Sequence, residues 1–128
     1  MNTAIICTAL LGLLLFGLGL YVSMFRRSRK VSAGCPGDPS DPMHCAIRAH
    51  ANTAEYAPFL AVLFLWHGTH DPTSWVIAII VLATASRFAL VAGLLWWPTM
   101  AKPNPARFVG AVGTYVCGLA LVGRMLMT

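Results

Sequence analysis

Four apolar stretches, near residues 3–25, 46–66, 75–97 and 106–127, take up most of this 128-residue chain. A bilayer's hydrocarbon core is about 30 Å thick and needs about 20 apolar residues per helical crossing. Each stretch has that length, and only the connections remain for anything else. The expectation is an all-α membrane protein, a four-transmembrane-helix bundle forming a single domain over residues 1–128. Composition agrees. Hydrophobic residues make up 58% and charged residues 10%, against about 25% charged in an ordinary soluble domain. The mean hydropathy is +0.72.

The net charge of +5 does not point to nucleic acid, because of where the charges sit. Arg26, Arg27, Arg29 and Lys30 follow the first stretch directly, and Lys102 and Arg107 lie between the third and fourth. Both groups fall on one side of the membrane, which the positive-inside rule makes cytoplasmic. Both termini and the 68–74 link then face outward, with Arg124 alone opposing. The cluster after the first stretch reads as a topology anchor against anionic lipid. No basic residue precedes that stretch, the reverse of a cleaved signal peptide, so a retained helix is expected. SAGC at 32–35 is too far from the apolar run to serve as a lipoprotein cleavage box.

The segment VSAGCPGDPSDPMH at 31–44 is a loop by its prolines and glycines. Cys35, His44 and Cys45 have no standard zinc spacing and no evident fourth ligand, so no metal is assigned. Cys7 and Cys117 lie within apolar stretches and read as small apolar residues. Asp71 or Thr73 is placed to cap the third helix. Pro105 marks the start of the fourth, with Arg107 in its first turn and Tyr115 about two turns deeper.

The second stretch departs from its apolar character at HCAIRAHANTAEYAP, residues 44–58. On a helix of about 3.6 residues per turn, Arg48, Asn52 and Glu55 share a narrow arc. Tyr56 sits at the edge of that arc, and His50 points almost the opposite way. Ionisable groups in a spanning helix turn to the bundle interior or to a wet site. Arg87, midway along the third stretch, faces the same demand, since a lone mid-span arginine costs at least about 2.5 kcal/mol. Glu55 is the one acidic residue within any stretch, so a structural ion pair between Arg87 and Glu55 is expected.

RAHANTAEYAP, with Arg48, Asn52, Glu55, Tyr56 and Pro58 in that spacing, resembles the second-helix signature of the MAPEG family. The name stands for membrane-associated proteins in eicosanoid and glutathione metabolism. Four helices in this length, and PNPARFVG opening the fourth, are also similar to the family. The resemblance, to bacterial-type members, implies an inner-membrane homotrimer with glutathione as co-substrate, bound between subunits near the cytoplasmic face. It implies that Arg48 meets a glutathione carboxylate, Asn52 the peptide and Glu55 the amino end, with Tyr56 close by. His50 occupies a position that is polar in several relatives and is counted with the glutathione-binding residues, its role there open. Arg107 matches the arginine that stabilises the thiolate in catalytic relatives. Catalytic members of several branches carry a tyrosine after the late glycine of the third helix, where this chain has Gly93 followed by Leu94.

The chemistry is consistent with that implication. Glutathione carries two carboxylates, an ammonium and a thiol, and a site for it needs cations, a carboxylate and an amide. A cation beside the thiol favours the nucleophilic thiolate. A second substrate arriving from lipid is a lipophilic electrophile, to be conjugated or reduced in a glutathione transferase- or peroxidase-like reaction. The alternative is a non-catalytic module that binds lipid or glutathione, as in the family's lipoxygenase-activating member. A small multidrug transporter ranks third, because those proteins carry their key glutamate in the first helix, and this first stretch holds no charge.

Overall fold

The computed structural model describes residues 1–70 and 73–127. It contains helices α1 (Asn2–Arg29), α2 (Pro42–Thr69), α3 (Ser74–Leu95) and α4 (Pro105–Leu126). Helices α1 and α2 extend a few residues beyond their apolar stretches into the polar connections, whereas α3 and α4 start one residue before theirs and end one or two residues short. Three of them, α1, α3 and α4, are long and apolar enough to cross a membrane. The remaining helix, α2, corresponds to the 46–66 stretch and is less apolar than the other three. That helix is 28 residues long, but Arg48, His50, Asn52 and Glu55 lower the hydropathy of its first half. Its carriage through a bilayer therefore depends on where those groups point.

The helix ends follow from local chemistry. Asp41 is the N-cap of α2. One of its carboxylate oxygens accepts from the Met43 amide at 2.7 Å, and Pro42 fills the first turn. Its other oxygen accepts from Arg29 Nη1, also at 2.7 Å, tying the end of α1 to the start of α2. Asn104 caps α4 by accepting from the Arg107 amide at 2.8 Å, and Pro105 follows it. Thr73 is the N-cap of α3 but makes no side-chain cap bond. Asp71, the other expected cap, lies outside the described residues.

The Arg29 hydrogen bond holds the Asp41 carboxyl below its usual range; partial burial opposes this, and the Met43 amide reinforces it. A carboxyl with its folded pKa depressed stabilises the fold above its unfolded value, about 3.9. That contribution is lost as pH falls through the lower folded value. Asp41→Asn keeps a competent cap but loses the charge. In detergent melts, the wild type should exceed Asp41→Asn in Tm at neutral pH, and the gap should close below about pH 4.

Two apolar clusters fill the bundle. One joins Cys7 and Leu11 of α1 to Leu60, Leu63 and Phe64 of α2, Val76 and Ile80 of α3, and Leu121 of α4. The other, nearer the basic loops, joins Leu18, Ala49, Leu90, Val91 and Leu94. Thr53, Thr84 and Arg87 are buried at the level between them. The closest pairings are α1 with α2 and α3 with α4.

The α3–α4 contact depends on glycine, since a Cβ at Gly110 would overlap the Leu90 backbone. Gly110→Ala should therefore lower stability by about 1–3 kcal/mol through overpacking. Gly12 on α1 has open space beside it, so Gly12→Ala should leave stability unchanged or raise it slightly through helix propensity. Thermal melts of the two variants in one detergent make the comparison.

Candidate functional site

Arg87 is the largest fully buried side chain, at 1% exposure. Its Nη2 donates to Asn52 Oδ1 at 2.8 Å and to Thr53 Oγ1 at 3.4 Å. Its guanidinium carbon lies 5.4 Å from the centre of the Tyr56 ring, within cation–π range. The Tyr56 hydroxyl in turn donates to the Tyr115 hydroxyl at 3.5 Å, and the two rings stand 5.7 Å apart. A line of polar groups thus runs from α3 through α2 to α4. Among the described residues, the buried Nε of Arg87 has no hydrogen-bond partner.

The expected Arg87–Glu55 ion pair is not formed. Among the described residues the ion pair is Arg29–Asp41, and Arg87 turns to neutral oxygens and a ring. Helix geometry gives the reason. Thr53, at 0% exposure, marks the side of α2 that faces the bundle. Tyr56 lies about 60° around the helix from it, Asn52 about 100°, Arg48 about 140° and Glu55 about 160°. The near members of the arc reach Arg87, while Arg48 and Glu55 lie beyond it and are exposed in the single chain. The bundle interior therefore does not take up these two charges, although Glu55 stands midway along α2.

His50 lies on the other flank of α2. Its ring packs on α1, with Nε2 3.2 Å from where a Gly19 Cβ would stand. The structure brings together Asn52, Tyr56 and Arg87, places Arg48 and Glu55 on the adjoining outer surface, and leaves His50 apart.

Arg107 sits at the basic end, half-buried, and its Nη1 donates to the Met100 carbonyl at 3.0 Å. It lines a cavity of about 360 Å³ with Met100, Pro103 and Phe108. Its position is fixed by a residue the sequence reading did not single out. Asn104 is buried, donates to the Gly93 carbonyl at 3.0 Å and accepts the Arg107 amide, locking the end of α3 to the start of α4. An Asn directly before Pro105 is itself a helix-start signal. Gly93 is needed for this approach, since a Cβ there would stand 2.6 Å from the Arg107 nitrogen.

A separate groove of about 470 Å³ opens between α2 and α4, with Glu55, Tyr56 and Tyr115 among its polar groups and Phe59, Leu60 and Leu119 among its walls. Also unforeseen is His67, which is buried and donates from Nε2 to the Leu121 carbonyl at 3.0 Å, pinning the far ends of α2 and α4. Cys35 Sγ lies 3.5 Å from His44 Nδ1, whereas Cys45 is buried and donates to the Pro39 carbonyl at 3.6 Å. Among the described residues, no three His, Cys, Asp or Glu side chains gather to hold a metal.

Four helices, three of them apolar along their length, with a cation, an amide and a carboxylate on one arc of the remaining helix, define an integral membrane protein built around a polar seam. The MAPEG family model matches residues 4–127, nearly the whole chain, and the protein belongs to that family. Its members are membrane proteins related to glutathione. No curated protein and no solved structure matches the chain.

Proposed function

We propose that this protein binds glutathione in the membrane and transfers it to lipophilic electrophiles through an activated thiolate, in a transferase- or peroxidase-like reaction. The observation that carries the reading is the exposed Arg48 and Glu55 beside the part-buried hydrogen bond from Arg87 to Asn52. A cation and a carboxylate on the outside of a membrane helix need partners of opposite charge. Glutathione brings carboxylates for Arg48, an ammonium for Glu55 and a peptide for Asn52, with Tyr56 alongside. A second and third copy of the chain would close the same face against lipid, which supports a homotrimer with sites between subunits. By the positive-inside rule the basic end lies in the cytoplasm and both termini outside, and a bacterial inner membrane fits a chain of this type. Arg107, at that basic end, is the group proposed to favour the thiolate.

Two observations support the alternative, a non-catalytic module that presents lipid or glutathione. Arg107 is engaged by the Met100 carbonyl, in a cavity distinct from the α2–α4 groove, and buried Leu94 supplies no hydroxyl. Titrating the detergent-purified protein with glutathione tests the binding reading, and absence of binding heat overturns it. A thiol-conjugation assay with a reactive aromatic electrophile separates the two readings, since binding without turnover favours the module. Crosslinking in mild detergent should stop at three subunits; a clean monomer or dimer would count against the trimer.

A further inference from the structure

The groove between α2 and α4 is hydrocarbon along most of its walls, with the Glu55 carboxylate and the hydroxyls of Tyr56 and Tyr115 as polar groups. Phe59, Leu60, Leu119 and Val122 offer nothing to a polar molecule. Tyr56 commits its O–H to the Tyr115 oxygen. Tyr115 is 48% exposed and lines the groove, so its own proton is available to an acceptor there. The Arg87 guanidinium on the far side of the Tyr56 ring places positive charge behind the hydroxyl pair, and among the described residues its buried Nε has no hydrogen-bond partner. A groove of this make fits an apolar molecule with a single oxygen, best one that gains negative charge during reaction.

We infer that the groove takes α,β-unsaturated carbonyl compounds and that Tyr115 is the catalytic residue that stabilises and protonates their oxygen. The inference rests on the glutathione reading above, because Glu55 and Tyr56, two of the residues proposed to hold glutathione, also line this groove. The sulfur lone pair forms a bond to the β-carbon. The carbon–carbon π pair shifts toward the carbonyl carbon, and the carbonyl π pair moves onto oxygen. Tyr115 donates its proton to that oxygen, giving an enol that relaxes to the saturated ketone. The phenolate regains the proton that the glutathione thiol released on ionising. No oxidant or reductant enters.

The test compares two electrophiles on purified protein with glutathione. One is a long-chain enone; the other is a benzylic chloride, which is displaced with loss of chloride and no charge on oxygen. Tyr115→Phe keeps the ring and removes the proton, so it should lower the enone-to-chloride ratio of kcat at least about tenfold. The loss should fall in kcat rather than KM, because the oxygen bears charge mainly in the transition state. Tyr21→Phe, on α1 and outside the groove, should leave both rates unchanged. An unchanged ratio in Tyr115→Phe overturns the inference, as does wild-type turnover of the chloride without the enone. Wild-type failure to bind glutathione or turn over either electrophile overturns the underlying reading and the inference with it.

Discussion

Glu55→Ala and Arg48→Ala should each abolish most glutathione binding, while Arg107→Ala should leave binding largely intact and cut turnover. The difference follows from where the three groups stand. Arg48 and Glu55 flank Asn52 on the outer arc of α2 and would each meet an opposite charge of the ligand. Removing one partner of a desolvated charge pair costs about 2–5 kcal/mol, which is a loss of roughly 30-fold or more in affinity. Arg107 instead belongs to the α3–α4 junction, held by Asn104 and the Met100 carbonyl. Its work would be on the thiol, whose free pKa of about 8.5 leaves only a few per cent ionised at pH 7. Full ionisation beside a cation is worth roughly 30-fold in rate. Isothermal titration beside the conjugation assay, run on each variant, reads the two effects separately. A full-rate Arg107→Ala protein would remove Arg107 from the mechanism and leave glutathione in place. Undiminished affinity in both α2 variants would remove the arc from the binding site.

The seam was legible in the sequence because a helix's period is fixed. Polar residues at 48, 52 and 55 in an apolar run can share only one face, and both basic loops proved to lie at one end of the bundle. The Met100 amide donates to the Pro39 carbonyl across those loops at 3.0 Å. What the sequence could not give was the partner of Arg87. Charge matching selects Glu55, but the position of α3 around α2 decides the outcome, and that is set by small residues: Ala46, Ala49 and Ala57, buried on the same side as Thr53. They draw the neighbouring helices to the Thr53 side, within reach of Asn52 and away from Glu55. His67 was equally hidden, because its acceptor is a backbone carbonyl 54 positions away and no residue pattern marks it. Asn104 did carry a signal, its place before Pro105, though not its second bond to the Gly93 carbonyl. The four apolar runs, finally, differ in kind. Hydropathy finds α1, α3 and α4, whereas α2 is a membrane helix only through what covers its polar arc.

Arg87→Ala should weaken both the fold and glutathione binding, and the coupling between the two losses is the informative part. Arg87 fills the level between the two apolar clusters and contacts α2 through Asn52, Thr53 and the Tyr56 ring. Hydrogen bonds to a charged group contribute about 1.5–3 kcal/mol, and the emptied volume adds a cavity cost. The melting temperature in detergent should therefore fall by several degrees. Binding should fall as well, because Asn52 would lose the donor that orients its carboxamide and Tyr56 the cation beneath its ring. Arg87→Lys separates charge from geometry. It restores a cation but not a guanidinium plane able to reach Asn52 and Thr53 while lying over the ring. Stability should recover in part, with affinity recovering less. Arg87→Met fills much of the volume without charge, and a buried cation with neutral partners is costly to keep. Its melting temperature should exceed that of Arg87→Ala while its glutathione affinity stays low. If Arg87→Met binds glutathione as tightly as the wild type, Arg87 serves packing alone and the seam's role in binding ends at Asn52.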